Sequence, residues 1–591
     1  MGSIAVSLSY RETPDKGRAT RMIHASPHRG VLSKICTIGS ASLAAGGEHA
    51  QVLVAHDLGI ALSGSLDNAT DLHRELASAG VTGPDDSDGA ILLAAFRKYG
   101  PDVAERLRGV FAAVVTDGAQ VWAFRDHIGF ATLFYRLEPD RCFFATEVKQ
   151  VLAGAGLPRE ADADVLEAIA FNELIDDTPT ALKGAMRLPK ATVIHVTRSA
   201  SSIHRYWHPE SLLETGHYTP DEIHERFDEL MTQAVRRSLS GNDFVSLSGG
   251  IDSPPIASYG APLHIELSGR PLSAISAVYP DQPAVDESIY IEEVASSLGM
   301  PLHTYTRKVK PLDNLEDWVQ ILDGPVPKIL VGDAAEQYSL ARSLGFDTML
   351  TGEVAEFVFD RRTYALPHLI AHRRWQAAAA NLRNQRRAGI SRYNVARQIG
   401  STFVPRSLAT TWRRIRLPFD STRVPHFVSQ HRFKNEYASR TVRSRDRWRQ
   451  EQLWAFTGPG LTMEADDVVQ SIHGIRTRRP WADIDLWEFF LSLPVETKVP
   501  RPGRKALVRD LIRGKVPDSI VDRHDKTGFD DAITSRIDYS RLRALLFPPA
   551  YEVPGVDYKA LSQRIEQRDL NANEFMWAKD LAALSAFVRS L

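Results

Sequence analysis

"FVSLSGGIDSPPIAS", residues Phe244 to Ser258, carries a short apolar run into two glycines, an aspartate, a serine and two prolines. Phe244, Val245 and Leu247 suit a short buried strand. Gly249 and Gly250 permit positive φ and let a ligand come close to the backbone. Pro254 and Pro255 are tolerated in the first turn of a helix, where the N–H groups have no intrahelical partner. The stretch therefore reads as strand, glycine turn, helix, with Asp252 or Ser253 at the cap. Such a turn aims free N–H groups and the positive end of a helix dipole at one point, which suits a phosphate. An ordinary strand-to-helix turn carries the same signals, and the double glycine alone does not separate the two.

The neighbouring segments repeat the alternation. "AISAVYP" (Ala274 to Pro280) and "DTMLTGE" (Asp347 to Glu353) read as strands, "DESIYIEEVASSLG" (Asp286 to Gly299) as a helix, and a further helix is expected near Asp221 to Leu239. Strands alternating with helices argue a parallel α/β sheet. Upstream, "VFAAVV" (Val110 to Val115), "QVWAFRD" (Gln120 to Asp126) and "RCFFATE" (Arg141 to Glu147) look like strands of a layered sheet. "SDGAILLAAFRKYG" (Ser87 to Gly100) reads as a helix with a polar start and a glycine stop. Tyr206 to Pro220 has the composition of a linker. Helices dominate toward the C-terminus.

A chain of 591 residues holds roughly two to four domains with sizeable cores. Its 43% hydrophobic and 24% charged residues are those of a soluble globular protein. A net charge of −2 gives no global case for nucleic acid. Two cysteines, Cys36 and Cys142, cannot build a disulfide framework or a Cys-rich metal site. No apolar run reaches membrane-spanning length and no signal-peptide core is present, so a cytoplasmic protein with no membrane partner is expected. Charge is uneven along the chain. Between residues 361 and 450, Lys plus Arg number 21 and Asp plus Glu 3, a local net charge of +18. That run is either a solvated helical face or a surface for phosphate, peptide or partner.

Ser248-Gly249-Gly250-Ile251-Asp252-Ser253 matches S-G-G-x-D-S and resembles the pyrophosphate loop of N-type ATP pyrophosphatases, which cleave ATP between the α and β phosphates. Four further segments resemble the asparagine synthetase superfamily in order. They are Val121 to Tyr135 with Phe143 to Leu152, Val285 to His303, Asp347 to Asp360, and Arg476 to Pro494 with Gly503 to Phe529. The resemblance implies an α/β protein of two parts. Residues 1–210 would form an amidotransferase-like domain of layered β-sheets (αββα). Residues 218–591 would form an adenylate-forming ATP pyrophosphatase domain with a parallel sheet, many helices and a basic helical insertion near 361–450.

Two departures narrow the activity. A glutaminase of this type uses an N-terminal cysteine whose thiolate attacks the amide. Here Met1 is followed by Gly2 and Ser3, and the oxyanion segment N-G-E appears as Ser63-Gly64-Ser65. A silent glutaminase domain leaves the amine to come from elsewhere. β-Lactam synthetases and lasso peptide cyclases both fit. The R-x-D-K-T-G-F segment ending at Phe529, the chain length and the basic insertion favour the cyclase. The expected reaction is ATP-dependent macrolactam formation in a ribosomal precursor peptide. A side-chain Asp or Glu carboxylate is adenylated and then attacked by the peptide's own N-terminal amine. The alternatives are cyclisation of a small β-amino acid, an ammonia-dependent asparagine synthetase, and a non-catalytic scaffold.

The resemblance implies ATP and Mg2+ as cofactors. Its partners would be the core peptide, a leader peptidase and a leader-binding protein. Ser248, Gly249, Gly250, Asp252 and Ser253 would hold pyrophosphate, with Asp252 and Glu356 on magnesium. Relatives carry aspartate where Glu356 stands. Ser276, Ala277 and Val278 would meet the adenine, or else form plain core strand. Gly352 would let the adenylate lie close to backbone, and Lys505 and Arg509 would add phosphate contacts. Glu353 would assist deprotonation of the amine, and Lys526 would neutralise charge during acyl transfer. Either could instead be a solvated loop residue. Asp323 and Arg478 to Pro480 are expected to stabilise the site rather than do chemistry.

Overall fold

The computed structural model describes residues 2–171, 178–325, 330–359, 364–403, 424–429, 444–453, 456, 460–501, 503–523, 528 and 530–591. Strand periodicity builds the first part. In Ser3–Ser9, Ile4, Val6 and Leu8 face one side and Ala5 the other. In Gly109–Thr116, Ala112 and Val114 meet that same inner core, while Phe111, Ala113 and Val115 face outward onto helices. A residue period of two thus places two antiparallel six-stranded sheets face to face around one apolar layer. Helices Lys16–His24 and Val148–Ala155 pack on the outside of one sheet. Asp88–Tyr99 packs on the outside of the other. The αββα expectation holds. Ser87 caps that last helix through Ala90 N, and Gly100 closes it, as its composition predicts.

The second part centres on a five-stranded sheet in the order Leu302–Tyr305, Ser273–Ala277, Asp243–Ser246, Thr348–Thr351, Arg476–Arg478. Every neighbouring pair is parallel. Helices Pro220–Ser238 and Ser253–Ser268 share a core with the sheet. In open parallel sheets ligands bind beyond the C-terminal strand ends. Here those ends deliver Ser248, Val278 and Gly352 to one edge. The helix expected from Asp286 starts at Ser288, with Glu287 as its cap residue. The stretch expected as a linker is tied down: Tyr206 and Trp207 are buried, and Trp207 Nε1 donates to Glu488 at 2.8 Å. Of the basic segment, helices Trp375–Arg387 and Arg392–Phe403 are described, and residues 404–423 and 430–443 lie outside the described residues. Among the described residues no helix is long and apolar enough to cross a membrane.

Buried ion pairs lock the layered sheets onto the second part. Arg29 bonds Asp467 at 2.8 Å and also meets Glu147, with its side chain fully enclosed. Arg125 reaches Glu464 at 3.0 Å, and Arg478 reaches Ser65 at 3.1 Å as well as Asp67. Removing one partner of a buried pair typically costs about 3–5 kcal/mol, because the other charge stays buried. Arg478 therefore does the architectural work expected of it. Asp323, buried beside Lys149 and Arg159, does the same elsewhere.

Candidate active site at the C-terminal strand ends

The turn after Ser246 is braced from within. Ser248 N donates to Ser253 Oγ at 2.9 Å, the two hydroxyls lie 3.1 Å apart, and Gly250 N reaches Ser248 Oγ at 3.4 Å. Helix Ser253–Ser268 follows with Pro254 and Pro255 in its first turn. Asp252 occupies the cap position, but its side chain makes no capping bond. Its carboxylate pairs instead with Lys505 Nζ, whose side chain is only 4% exposed. Trp481 Nε1 fixes the Asp252 carbonyl at 2.7 Å.

Left-handed backbone, one of the two reasons expected for the glycines, does not apply. Neither Gly249 nor Gly250 has a left-handed φ. A Cβ on Gly249 would stand 2.9 Å from Glu287 Cβ and 3.0 Å from Tyr290 Cβ. Close packing against the next helix, not backbone hand, excludes a side chain there. Gly352 is constrained likewise. Its Cβ would lie 2.6 Å from Ser253 N, so the glycine lets the end of strand Thr348–Thr351 abut the loop itself.

The predicted nucleotide residues divide. Ser276 is buried and its hydroxyl donates to Leu247 O at 2.7 Å, which braces the strand just before the loop. Val278 N donates to Tyr305 O at 2.9 Å, and Ala277 and Val278 are half-buried at the same edge. Arg509 is buried and its guanidinium donates to Arg504 O at 3.0 Å and to the carbonyl of Val521. Lys526 lies outside the described residues. Sequence reading gave no role to Glu287 and Arg523. Glu287 accepts from Gly249 N at 3.1 Å, and Arg523 bridges Gly249 O at 2.7 Å and Glu287 at 3.0 Å. Glu287 stood inside a recognised motif; nothing local in that motif points it at the loop.

Glu353 follows Gly352 and receives Arg479 Nε at 2.9 Å. Arg479, almost fully enclosed, also pairs with Asp466, which accepts from Tyr338 Oη at 2.6 Å. The guanidinium lies 4.8 Å from the ring of Phe130, a residue of the layered-sheet part. The Glu353 pKa is raised, first by crowding from surrounding protein and then by Asp466 and Glu356, with Arg479 opposing. Its side chain is 56% exposed. That exposure screens the shift, and an open carboxylate beside Gly352 suits a proton acceptor.

Among the described residues no three His, Cys, Asp or Glu side chains cluster as a metal cage. Asp252 and the exposed Glu356 are carboxylates of the same strand-end region. Mg2+ is usually held by one or two carboxylates plus substrate phosphates, so the residues fit a metal shared with ATP rather than one caged by protein.

At the start of the chain, Gly2 is packed so that a Cβ would stand 2.4 Å from Glu48 O and 2.7 Å from Ala50 Cβ. Ser63 Oγ holds its carbonyl at 2.8 Å. No side chain fits there. Cys36 is half-buried in Leu32–Ile38, and Cys142 is buried with its pKa pushed up to about 12 by that burial. Glutamine is accordingly expected to be neither hydrolysed nor required, and Cys36→Ser with Cys142→Ser should retain activity. Glutamate release from glutamine that disappears in Cys36→Ser would overturn this.

Residues 226–579 match the asparagine synthase family model, and residues 1–207 match the glutamine amidotransferase domain model. Glutamine-hydrolyzing asparagine synthetase 3 of Bacillus subtilis is 26% identical over 499 residues, which span 78% of this chain and 74% of that protein. Amidase chry2 of Gibberella zeae is 28% identical over 290 residues, 45% of this chain and 42% of that protein.

Proposed function

Since the chain belongs to the asparagine synthase family and is an ATP-dependent, AMP- and pyrophosphate-forming amide ligase, we propose that it closes a macrolactam within a peptide, as in lasso peptide biosynthesis. The observation that carries this reading is the packing at Gly2. A Cβ there clashes with backbone, which speaks against a side-chain nucleophile and supports an amine other than glutamine's; in this reading that amine is the peptide's own. A side-chain Asp or Glu oxygen of the peptide attacks the α-phosphorus of ATP, and pyrophosphate leaves. The peptide's α-amine then attacks the acyl carbon, AMP leaves, and Glu353 takes the amine proton. Magnesium, when bound, neutralises the leaving pyrophosphate; Asp252 and Glu356 would hold it. Ser248, Gly249, Gly250 and Ser253 orient the phosphates, Lys526 compensates charge on the adenylate, and Lys505 guards Asp252 until ATP arrives. Because amine and adenylate belong to one chain, orientation supplies much of the rate.

The test is incubation with ATP, Mg2+ and a leader-free peptide bearing a free amine and an internal Asp or Glu. Pyrophosphate release matched by a product one water lighter, with a blocked N-terminus, is expected. Detection of ADP and orthophosphate, or formation of asparagine from aspartate and ammonia, would replace the reading.

The peptide and a leader-binding partner are proposed to use the basic segment. Trp375 is 61% exposed on the helix that carries Arg383, Arg386 and Arg387, and Tyr393 is 74% exposed on the next helix. Arg374 belongs elsewhere, since it pairs with Glu214 and Glu496. Reversing Arg373, Arg383, Arg386 and Arg387 to glutamate should weaken peptide binding and flatten its salt dependence. Unchanged turnover and affinity would make the segment a solvated face.

A further inference from the structure

The arginine that meets Glu353 is held from both parts of the molecule. Arg479 follows strand Arg476–Arg478, and its side chain is 6% exposed. Its Nε donates to Glu353 at 2.9 Å, and a terminal nitrogen meets Asp466. Hydrogen bonds of this kind fix directions within the guanidinium plane. They constrain the tilt of that plane only weakly. A third contact bears on the tilt: the Phe130 ring lies against the guanidinium face, 4.8 Å from centroid to central carbon. Phe130 is buried, and it comes from the layered-sheet part.

The loop that presents Phe130 is tied down along its length. The buried Asp126 carboxylate accepts from the backbone N–H of Ile128 at 3.0 Å, Gly129 at 2.6 Å, Phe130 at 3.2 Å and Ala131 at 2.8 Å. Arg125, also buried, donates to Gly129 O and Ala131 O, each at 2.8 Å. A backbone satisfied this fully holds its side chains in one place. Arg125 also reaches Glu464, two positions before Asp466 on helix Leu461–His473. The loop therefore grips the helix that carries one partner of Arg479 and lays its own ring on Arg479. Arg478 already ties the two parts together through Asp67 and Ser65. Adhesion between the parts does not call for an aromatic face on the next arginine; orientation of that arginine does.

We propose that Phe130 is a positioning residue for amine transfer: its ring holds Arg479 in the orientation that supports Glu353, so the layered-sheet part completes the catalytic edge of the second part. This rests on Glu353 as the proton acceptor. The test is a double-mutant cycle in the full chain with ATP, Mg2+ and the leader-free peptide. Phe130→Leu keeps an apolar filling and removes the ring face. The kcat of cyclisation should fall about two- to thirtyfold, the range a cation–π contact carries. ATP–pyrophosphate exchange should stay near wild type. Added to Arg479→Gln, Phe130→Leu should lower cyclisation no further, because the ring then faces no cation. A ring that only fills space would depress exchange and cyclisation alike and would act again in that background. Phe130→Met also fills the site without a ring and should repeat the result, so a folding defect in one variant leaves the other to decide. Wild-type cyclisation in a folded Phe130→Leu or Phe130→Met, equal loss in exchange, or the full loss recurring in Arg479→Gln would each overturn the proposal. Near wild-type cyclisation in Glu353→Gln would instead remove the base on which it rests, and the proposal with it. If the wild type forms asparagine from aspartate and ammonia, the peptide reading falls and the same cycle is read on asparagine.

Discussion

Asp252→Ala is expected to abolish pyrophosphate release from ATP. Asp252 stands at the N-terminal end of helix Ser253–Ser268, where the dipole stabilises an anion. It spends nothing on capping, so its carboxylate is available for another task. In the protein that task is to hold Lys505; during turnover, in our reading, it is to hold the ion that neutralises pyrophosphate. Removing one such electrostatic contact costs about a hundred- to thousand-fold in rate, and loss of a metal ligand should reach the upper end. The same change strands the enclosed ammonium of Lys505. With Asp252 itself 34% exposed, the stability loss should fall near or below the lower end of about 3–5 kcal/mol. Asp252→Asn keeps the shape and separates the effects: it should fold, bind the peptide and still release no pyrophosphate. Near wild-type release in a folded Asp252→Asn would take this residue out of the phosphate site.

The sequence was legible where the physics is local. Pro254 and Pro255 sit in the first helical turn, Ser87 and Gly100 bound their helix, and alternation in Gly109–Thr116 sorts Val114 from Val115 onto opposite faces. Each of these depends on neighbours within a few residues. What escaped reading joins residues far apart. Lys505 reaches Asp252 across 253 positions, Arg523 reaches Gly249 across 274, and Arg479 reaches Glu353 across 126. No periodicity encodes such pairs. Gly249 shows the same limit: the left-handed φ read for it is absent, and close packing takes its place. A glycine needed for left-handed φ and one needed because Glu287 and Tyr290 press against it look identical in sequence.

Glu353→Gln should cut peptide cyclisation by about a hundred- to ten-thousand-fold, the usual worth of a general base. ATP–pyrophosphate exchange should survive far better, because adenylation precedes the amine's attack. A residue that merely props the site would depress both. The pH profile tests the geometry further. In our reading Glu353 acts as carboxylate, so the rate should rise with pH through its pKa, which is shifted above the ordinary value. Arg479 is what holds that pKa down, through charge and a 2.9 Å hydrogen bond. In Arg479→Gln the pKa must rise again, and the acid limb of kcat/KM must move to higher pH. Arg479 also serves Asp466, so this variant should lose thermal stability as well. Lower stability alone scales the rate at every pH and leaves the limb where it was. An unmoved limb in Arg479→Gln, beside near wild-type cyclisation in Glu353→Gln, would assign proton removal to another group.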